Sequence, residues 1–312
     1  MRIHVLFILL FCHLSLLTVA QFKKRKAAEP VMEQGPAAVI PFQLYGHQVV
    51  IPVTTSGNSD TLHFIFDSGT EVTVLHYGLA QKLQVQNKQL SGVSANNDLM
   101  LAVNTAVLNV LYLGKTRLPF VKVFLENIPE FRKGPLVIDG FIGIDLLKEF
   151  IVKIDYTKQQ LVLYKHSAPP ELPAGTEQIP FRINFNTPVI PATIQLPGGA
   201  SLTSNYHLVS GGDYGVLFNW PYVEKNKLNE QLVTESTDQV QELIKIDVYT
   251  NSTIPSLTLG TRQLSKIPVS YCEDVNDDSP LIEIAGAIGY EVWKQFSAVT
   301  INYRQKLLYL QR

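Results

Sequence analysis

Residues 141–150 read FIGIDLLKEF, and residues 287–296 read AIGYEVWKQF. In each, an apolar residue, Ile and Gly lead into a short amphipathic stretch that ends in Phe. Each is followed by a polar turn between two apolar runs, IDYTKQQLVLY at 154–164 and INYRQKLLYL at 301–310. Working outward, further pairs match in the same order. Leu113-Gly114 matches Leu259-Gly260, and Val50-Ile51-Pro52-Val53 matches Val189-Ile190-Pro191-Ala192. Ile40-Pro41-Phe42 matches Ile179-Pro180-Phe181. The spacing is 139 at the start (179 − 40) and 146 near the end (289 − 143), so the copies differ by a few loop residues. An ordered match over most of both halves is the signature of a duplicated unit. It divides the chain into a first lobe at 40–165 and a second at 179–312. The linker between them, HSAPPELPAGTEQ at 166–178, is rich in Pro and polar residues, as an exposed connection is.

Within each copy the pattern is mostly strand. QVVIPVTT, HFIF, AVLNVLYL and FVKVFLE are short runs rich in β-branched and aromatic residues, separated by Gly, Asn, Ser and Pro. Helical patterning is confined to HYGLAQKL, DLLKEF, PYVEKNKL and EVWKQF. The expected fold class is all-β: two similar closed β-barrel lobes with a few short helices.

Composition narrows the function. The 312 residues are 46% hydrophobic and 17% charged, with a net charge of −1. That leaves no basic excess to meet phosphates, so no nucleic-acid partner is expected. The apolar content is too high for a disordered chain. Residues 1–20, MRIHVLFILLFCHLSLLTVA, place one cation before a short apolar run and small residues at Thr18 and Ala20. This is the pattern of a signal peptide cleaved before Gln21, and it predicts an exported protein, periplasmic or extracellular. Residues 21–39 then form a flexible lead-in. No second apolar run reaches membrane length, so no membrane contact is expected after cleavage. Of the two cysteines, Cys12 falls in the signal segment and Cys272 alone remains, so no internal disulfide is expected.

One motif carries chemistry. In HFIFDSGTEVTVL, residues 63–75, an apolar strand runs into Asp67-Ser68-Gly69-Thr70 and a second apolar strand follows. Asp-Ser-Gly is good turn chemistry in its own right. With the duplicated β lobe and the export signal, however, the chain resembles the aspartic proteases, specifically their retropepsin-like branch. Ile65-Phe66-Asp67-Ser68-Gly69-Thr70 satisfies that family's signature, and Phe141-Ile142-Gly143 with Ile144-Asp145-Leu146-Leu147 is similar to its later apolar-Gly-helix element. The resemblance implies the acid-protease fold, Asp67 as a catalytic carboxylate, and Ser68, Gly69 and Thr70 as its loop. It implies no cofactor and a polypeptide substrate. In such a site two carboxylates about 3 Å apart share a proton; one activates a water and the other protonates the peptide carbonyl.

The second copy departs from this pattern. Anchored on the downstream helices, Ser68-Gly69 falls on Ser210-Gly211 and Asp67 falls on Val209, a degenerate motif. A rival register places Asp213-Tyr214-Gly215 on the motif and keeps the later spacing of 146 (213 − 67). Three readings follow. Asp67 could pair across a homodimer through the first lobe, giving an exported aspartic-type endopeptidase. Val209 could face Asp67 within one chain, giving a catalytically inactive pseudo-protease that binds peptides between the lobes. Asp213 could restore an internal dyad. Family habit favours the endopeptidase.

Other features carry less. SGVSANND at 91–98 suits a hairpin tip or an ordinary loop. Asp145 and Glu291 start matching short helices, where the helix dipole accounts for an acid. The histidines lack a ligand spacing and no metal site is expected; His63 and His207 read as surface strand positions. The acidic run at 273–278 reads as a solvated turn, and Asn251-Ser252-Thr253 is a glycosylation sequon.

Overall fold

A computed structural model of the chain describes residues 35–85, 89–94, 100–128, 136–241, 246–273 and 284–312. The expected signal segment, the lead-in as far as residue 34, residues 95–98 of SGVSANND and residues 274–278 of the acidic run lie outside the described residues.

The first half begins β1 (Ala38–Pro41), β2 (Gln43–Tyr45), β3 (Gln48–Thr55), β4 (Asn58–Phe66) and β5 (Thr73–His76). It continues α1 (Tyr77–Lys82), β6 (Gln89–Ser94), β7 (Met100–Leu113), β8 (Thr116–Glu126), β9 (Gly140–Ile142), α2 (Ile144–Glu149), β10 (Ile151–Asp155) and β11 (Gln160–Tyr164). The second half begins β12 (Glu177–Pro180), β13 (Arg182–Asn184), β14 (Thr187–Gln195), β15 (Ser201–Leu208) and β16 (Val216–Phe218). It ends α3 (Trp220–Asn226), α4 (Leu228–Gln231), β17 (Ser236–Gln241), β18 (Ile246–Leu259), β19 (Arg262–Cys272), β20 (Ile284–Ile288), α5 (Tyr290–Trp293), β21 (Ala298–Asn302) and β22 (Leu307–Gln311).

The duplication read from the sequence is written in the sheets. In the first half the strand order is β2-β3-β4-β9-β5-β8-β7-β6, and a further pairing of β3 with β7 closes six of these strands into a ring. In the second half the order is β13-β14-β15-β20-β16-β19-β18-β17, closed in the same way by β14 with β18. Within the first ring, β4 runs parallel to β9 and is covered on both faces. Phe64 and Phe66 point into the main core, while Ile65 packs with Val50 and Ile138 on the other side. This is why HFIF is a continuous apolar run rather than an alternating one. The β6–β7 hairpin pairs as far as Ser94 opposite Met100, so SGVSANND does begin as a strand entering a hairpin.

A third sheet, β1-β11-β10-β21-β22-β12, takes three strands from each half. Its centre is the antiparallel pair β10–β21, with Val152 opposite Ile301 and Ile154 opposite Val299. One buried apolar cluster runs from Ala38 to Leu310 through both halves. The described residues therefore form one compact unit, and 166–178 is a covalent link beside a shared sheet rather than a hinge between separate cores. That link is itself tied down. The Glu177 carboxylate accepts the Thr261 N–H at 3.0 Å, and Arg262 Nη2 donates to the Gly175 carbonyl at 2.7 Å.

The helices are short and sit where expected, with one difference. PYVEKNKL reads as a single helix, but Lys227 adopts φ 52°, which ends α3 and lets α4 start one residue later. Trp293 on α5 is fully buried, and its indole N–H donates to the Ile288 carbonyl at 2.9 Å. No helix among the described residues is long and apolar enough to cross a membrane.

Candidate functional site

Asp67 follows β4 directly, and its N–H donates to the Ile142 carbonyl at the end of β9. The turn closes when the Thr70 N–H donates to the Asp67 carbonyl at 3.0 Å. Gly143 passes so close behind this turn that a Cβ there would run into the Asp67 and Thr70 carbonyl oxygens. Glycine is required by that approach. The second half repeats the arrangement: the Val209 N–H donates to the Ile288 carbonyl at 3.0 Å.

The two loops meet head to head. The Ser68 hydroxyl donates to the Leu208 carbonyl at 2.8 Å and accepts the Ser210 N–H at 3.0 Å. The Ser68 N–H donates to the Ser210 hydroxyl at 2.9 Å. Both serines are 1% exposed, so these bonds are shielded from water and each buried group finds its partner across the junction. Asp67 Oδ1 accepts three groups: the Gly69 N–H at 3.0 Å, the Gly211 N–H at 2.9 Å and the Ser210 hydroxyl at 3.4 Å. Asp67, Ser68, Gly69 and Thr70 are thus brought together with Val209, Ser210 and Gly211.

Val209 occupies the place across from Asp67. A Cβ built on Gly69 would lie 3.0 Å from Val209 Cγ2, and one built on Gly211 would lie 2.9 Å from Asp67 Cγ. Each side chain lies over the glycine of the opposite loop, so residues 67 and 209 are partners. The repeat spacing at this point is 142 (210 − 68), and it rises to 143 at the next strands, where Val74 faces Phe141 and Leu217 faces Ala287 (217 − 74). The spacing of 146 appears only later. The register that would put Asp213 on the motif is therefore corrected. Asp213 lies beyond the junction, its side chain 73% exposed, with its carboxylate 3.1 Å from His47 Nδ1.

Electrostatically the site holds one strained charge. Burial pushes the Asp67 carboxyl above the usual carboxylate range, and the Gly69, Gly211 and Ser210 donors pull it only part of the way back. The sign of the resulting pH effect follows. Between the unfolded and the raised folded value the native state binds the extra proton, so stability falls as pH rises through that window. Above the folded value the full cost remains. Asp67→Asn is expected to be more stable than the parent at neutral pH, with the difference vanishing near pH 3, below the unfolded Asp value of about 3.9. Thermal melts of both proteins across that range check it.

Sequence reading did not foresee the aromatic groups beside Asp67. Tyr156, in the turn after β10, and Tyr214, after Asp213, are both held well above the ordinary tyrosine range, by burial first and partly by the charge of Asp67. The Tyr156 ring packs edge-on against Tyr290 at 6.0 Å and Phe42 at 6.5 Å. The Asp145 expectation also changes. Its carboxylate accepts both the N–H and the hydroxyl of Thr73, at 3.2 and 2.6 Å, and so fastens the strand after the loop rather than merely facing a helix dipole. Glu291, its counterpart, pairs with Lys294, the residue that caps the end of its helix. His207 is half-buried rather than on the surface, and burial lowers its pKa. Among the described residues no group of three or more His, Cys, Asp or Glu could hold a metal ion. Compared with known proteins, the chain matches no family model and no curated protein.

Proposed function

We propose that the chain is a two-lobe protein of the acid-protease fold that binds polypeptide over Asp67 and does not hydrolyse it. The observation that carries this reading is Val209. Peptide hydrolysis of this type needs a base to activate water and an acid to protonate the carbonyl, roles that two adjacent carboxylates divide. Here one carboxylate faces two methyl groups. A valine neither orients water nor transfers a proton. The loops that would frame a bound peptide are nonetheless kept, with Gly69 and Gly211 both in place and the serines joined across the junction. With the export signal expected at 1–20, this binding would occur in the periplasm or outside the cell.

The endopeptidase reading rests on the intact Asp67-Ser68-Gly69-Thr70 loop. It needs the Asp67 of a second chain to enter the position that residues 208–211 of the same chain fill, breaking the buried serine bonds in both copies. That cost favours binding over cleavage.

The test is equilibrium binding of an unfolded, fluorescently labelled protein to residues 21–312, with the label followed on a gel. The reading expects saturable binding with the labelled chain recovered intact from acid to neutral pH. Absence of binding, or fragments that disappear with Asp67→Asn, would refute it.

A further inference from the structure

The two halves build equivalent rings from different residues at one corner, apolar in the first half and hydroxyl-bearing in the second. The strand register makes Leu62 (opposite Val53) equivalent to Ser204 (opposite Ala192), and Phe64 (opposite Ile51) equivalent to Tyr206 (opposite Ile190). Gln43 (opposite Val50) is likewise equivalent to Arg182 (opposite Val189). On the helix that follows the ring strand, Leu79 becomes Tyr222. The first half fills this corner with Leu62, Phe64 and Leu79, at 3%, 0% and 8% exposure. The second half places a hydroxyl at all three positions. Tyr206 is 0% exposed, with its hydroxyl beside that of Tyr222. Burying a hydroxyl there carries a desolvation cost that an apolar side chain would avoid.

These hydroxyls lie beneath a groove of about 460 Å³ lined by Arg182, Thr203, Ser204, Tyr222, Lys225 and their neighbours, with no carboxylate among the lining residues. Neither Arg182 nor Lys225 has an ion-pair partner among the described residues. The Ser204 and Tyr222 hydroxyls lie 2.7 Å apart. When the Tyr206 hydroxyl donates to Tyr222 and Tyr222 donates to Ser204, the Ser204 proton remains to be donated to a ligand oxygen. Two unpaired cations and a hydroxyl donor converging on a concave surface are the chemistry that holds a tetrahedral oxyanion.

We propose that this groove, on the second half and independent of the Asp67 site, binds a phosphate or sulfate group. Arg182 and Lys225 supply the charge, and the Ser204–Tyr222 pair supplies a directed hydrogen bond. Closing the ring does not require these charges and hydroxyls, because the first half closes the same ring with Gln43, Leu62, Phe64 and Leu79.

The test is titration of the full chain with inorganic phosphate and with inorganic sulfate at constant ionic strength, followed by NMR or thermal shift. Saturable binding is expected, weakened about tenfold or more by Arg182→Gln and by Lys225→Gln. Both positions are exposed, so these variants should fold as the parent does. Tyr222→Phe removes one hydroxyl while keeping the ring and should weaken binding by a smaller factor. Glycerol phosphate and vesicles containing phosphatidic acid distinguish a soluble ligand from a lipid headgroup: the probe whose binding depends on Arg182 names the source. No saturation up to tens of millimolar, or saturation untouched by both cation variants, would overturn the proposal.

Discussion

Val209→Asp is expected to turn a chain proposed not to cut peptides into one that does. The introduced carboxylate would lie over Gly69, as the Asp67 carboxylate lies over Gly211, and the two would approach from opposite sides of the same pair of backbone donors. Like charges at that separation cannot both ionise, so one proton would be shared and the pair would act as base and acid at low pH. Hydrolysis of an unfolded protein should rise at least about a hundredfold over the parent, the lower end of what positioned acid–base groups contribute. The activity should follow the acid limb of a bell-shaped pH profile and vanish when Asp67→Asn is added. The same substitution should lower stability at neutral pH, because a second carboxylate would be buried beside the first. Rates measured between pH 3 and pH 7 on the single and double variants check each part (these bracket the usual carboxylate range, about 3.9 to 4.3, and its raised tail). A Val209→Asp variant that folds and remains inert would show that the loops hold the wrong geometry for catalysis even with both carboxylates present.

Ser68→Ala carries the second large effect, on stability. The hydroxyl it removes makes two bonds across the junction, one to the Leu208 carbonyl and one from the Ser210 N–H. Both partners are left without a replacement at a position shielded from water. An orphaned buried polar group costs about 1–3 kcal/mol, so two of them should cost about 2–6 kcal/mol. Because the serines also support the donors that hold Asp67, the variant should weaken peptide binding as well. Urea unfolding of Ser68→Ala, Ser210→Ala and the double variant forms a cycle. Coupling well above zero is expected, since the two side chains serve one junction. Additive losses would mean that the two loops are held by the surrounding sheets and not by the serines.

Much of this arrangement was legible in the sequence, for particular reasons. The motif pairs Ile142-Gly143 and Ile288-Gly289 survive duplication because the chain packs tightly there, and a glycine at that approach cannot be exchanged. The short helices and the strand runs kept their periodicity because each buries one side against the same core. The register at the second loop was harder to read. One extra residue separates Gly211 from β16 relative to the first half, so a fixed spacing of 146 pointed to Asp213 where contact points to Val209. The shared six-stranded sheet left no local trace either, because pairing between β10 and β21 joins residues about half the chain apart. The place of Tyr156 and the bond from Thr73 to Asp145 were not foreseen for the same reason: the partners, Tyr290 for Tyr156 and Thr73 for Asp145, are remote in sequence.

The central claim is that Val209 leaves Asp67 without a partner and the bound peptide uncut. The most direct measurement incubates the parent chain with a diverse peptide mixture in water enriched in oxygen-18, across acid and neutral pH, and reads the products by mass spectrometry. Any hydrolysis writes the heavy isotope into a new C-terminus. The account predicts peptides that co-purify with the chain and carry no label. Labelled termini that appear with the parent and disappear with Asp67→Asn would contradict it.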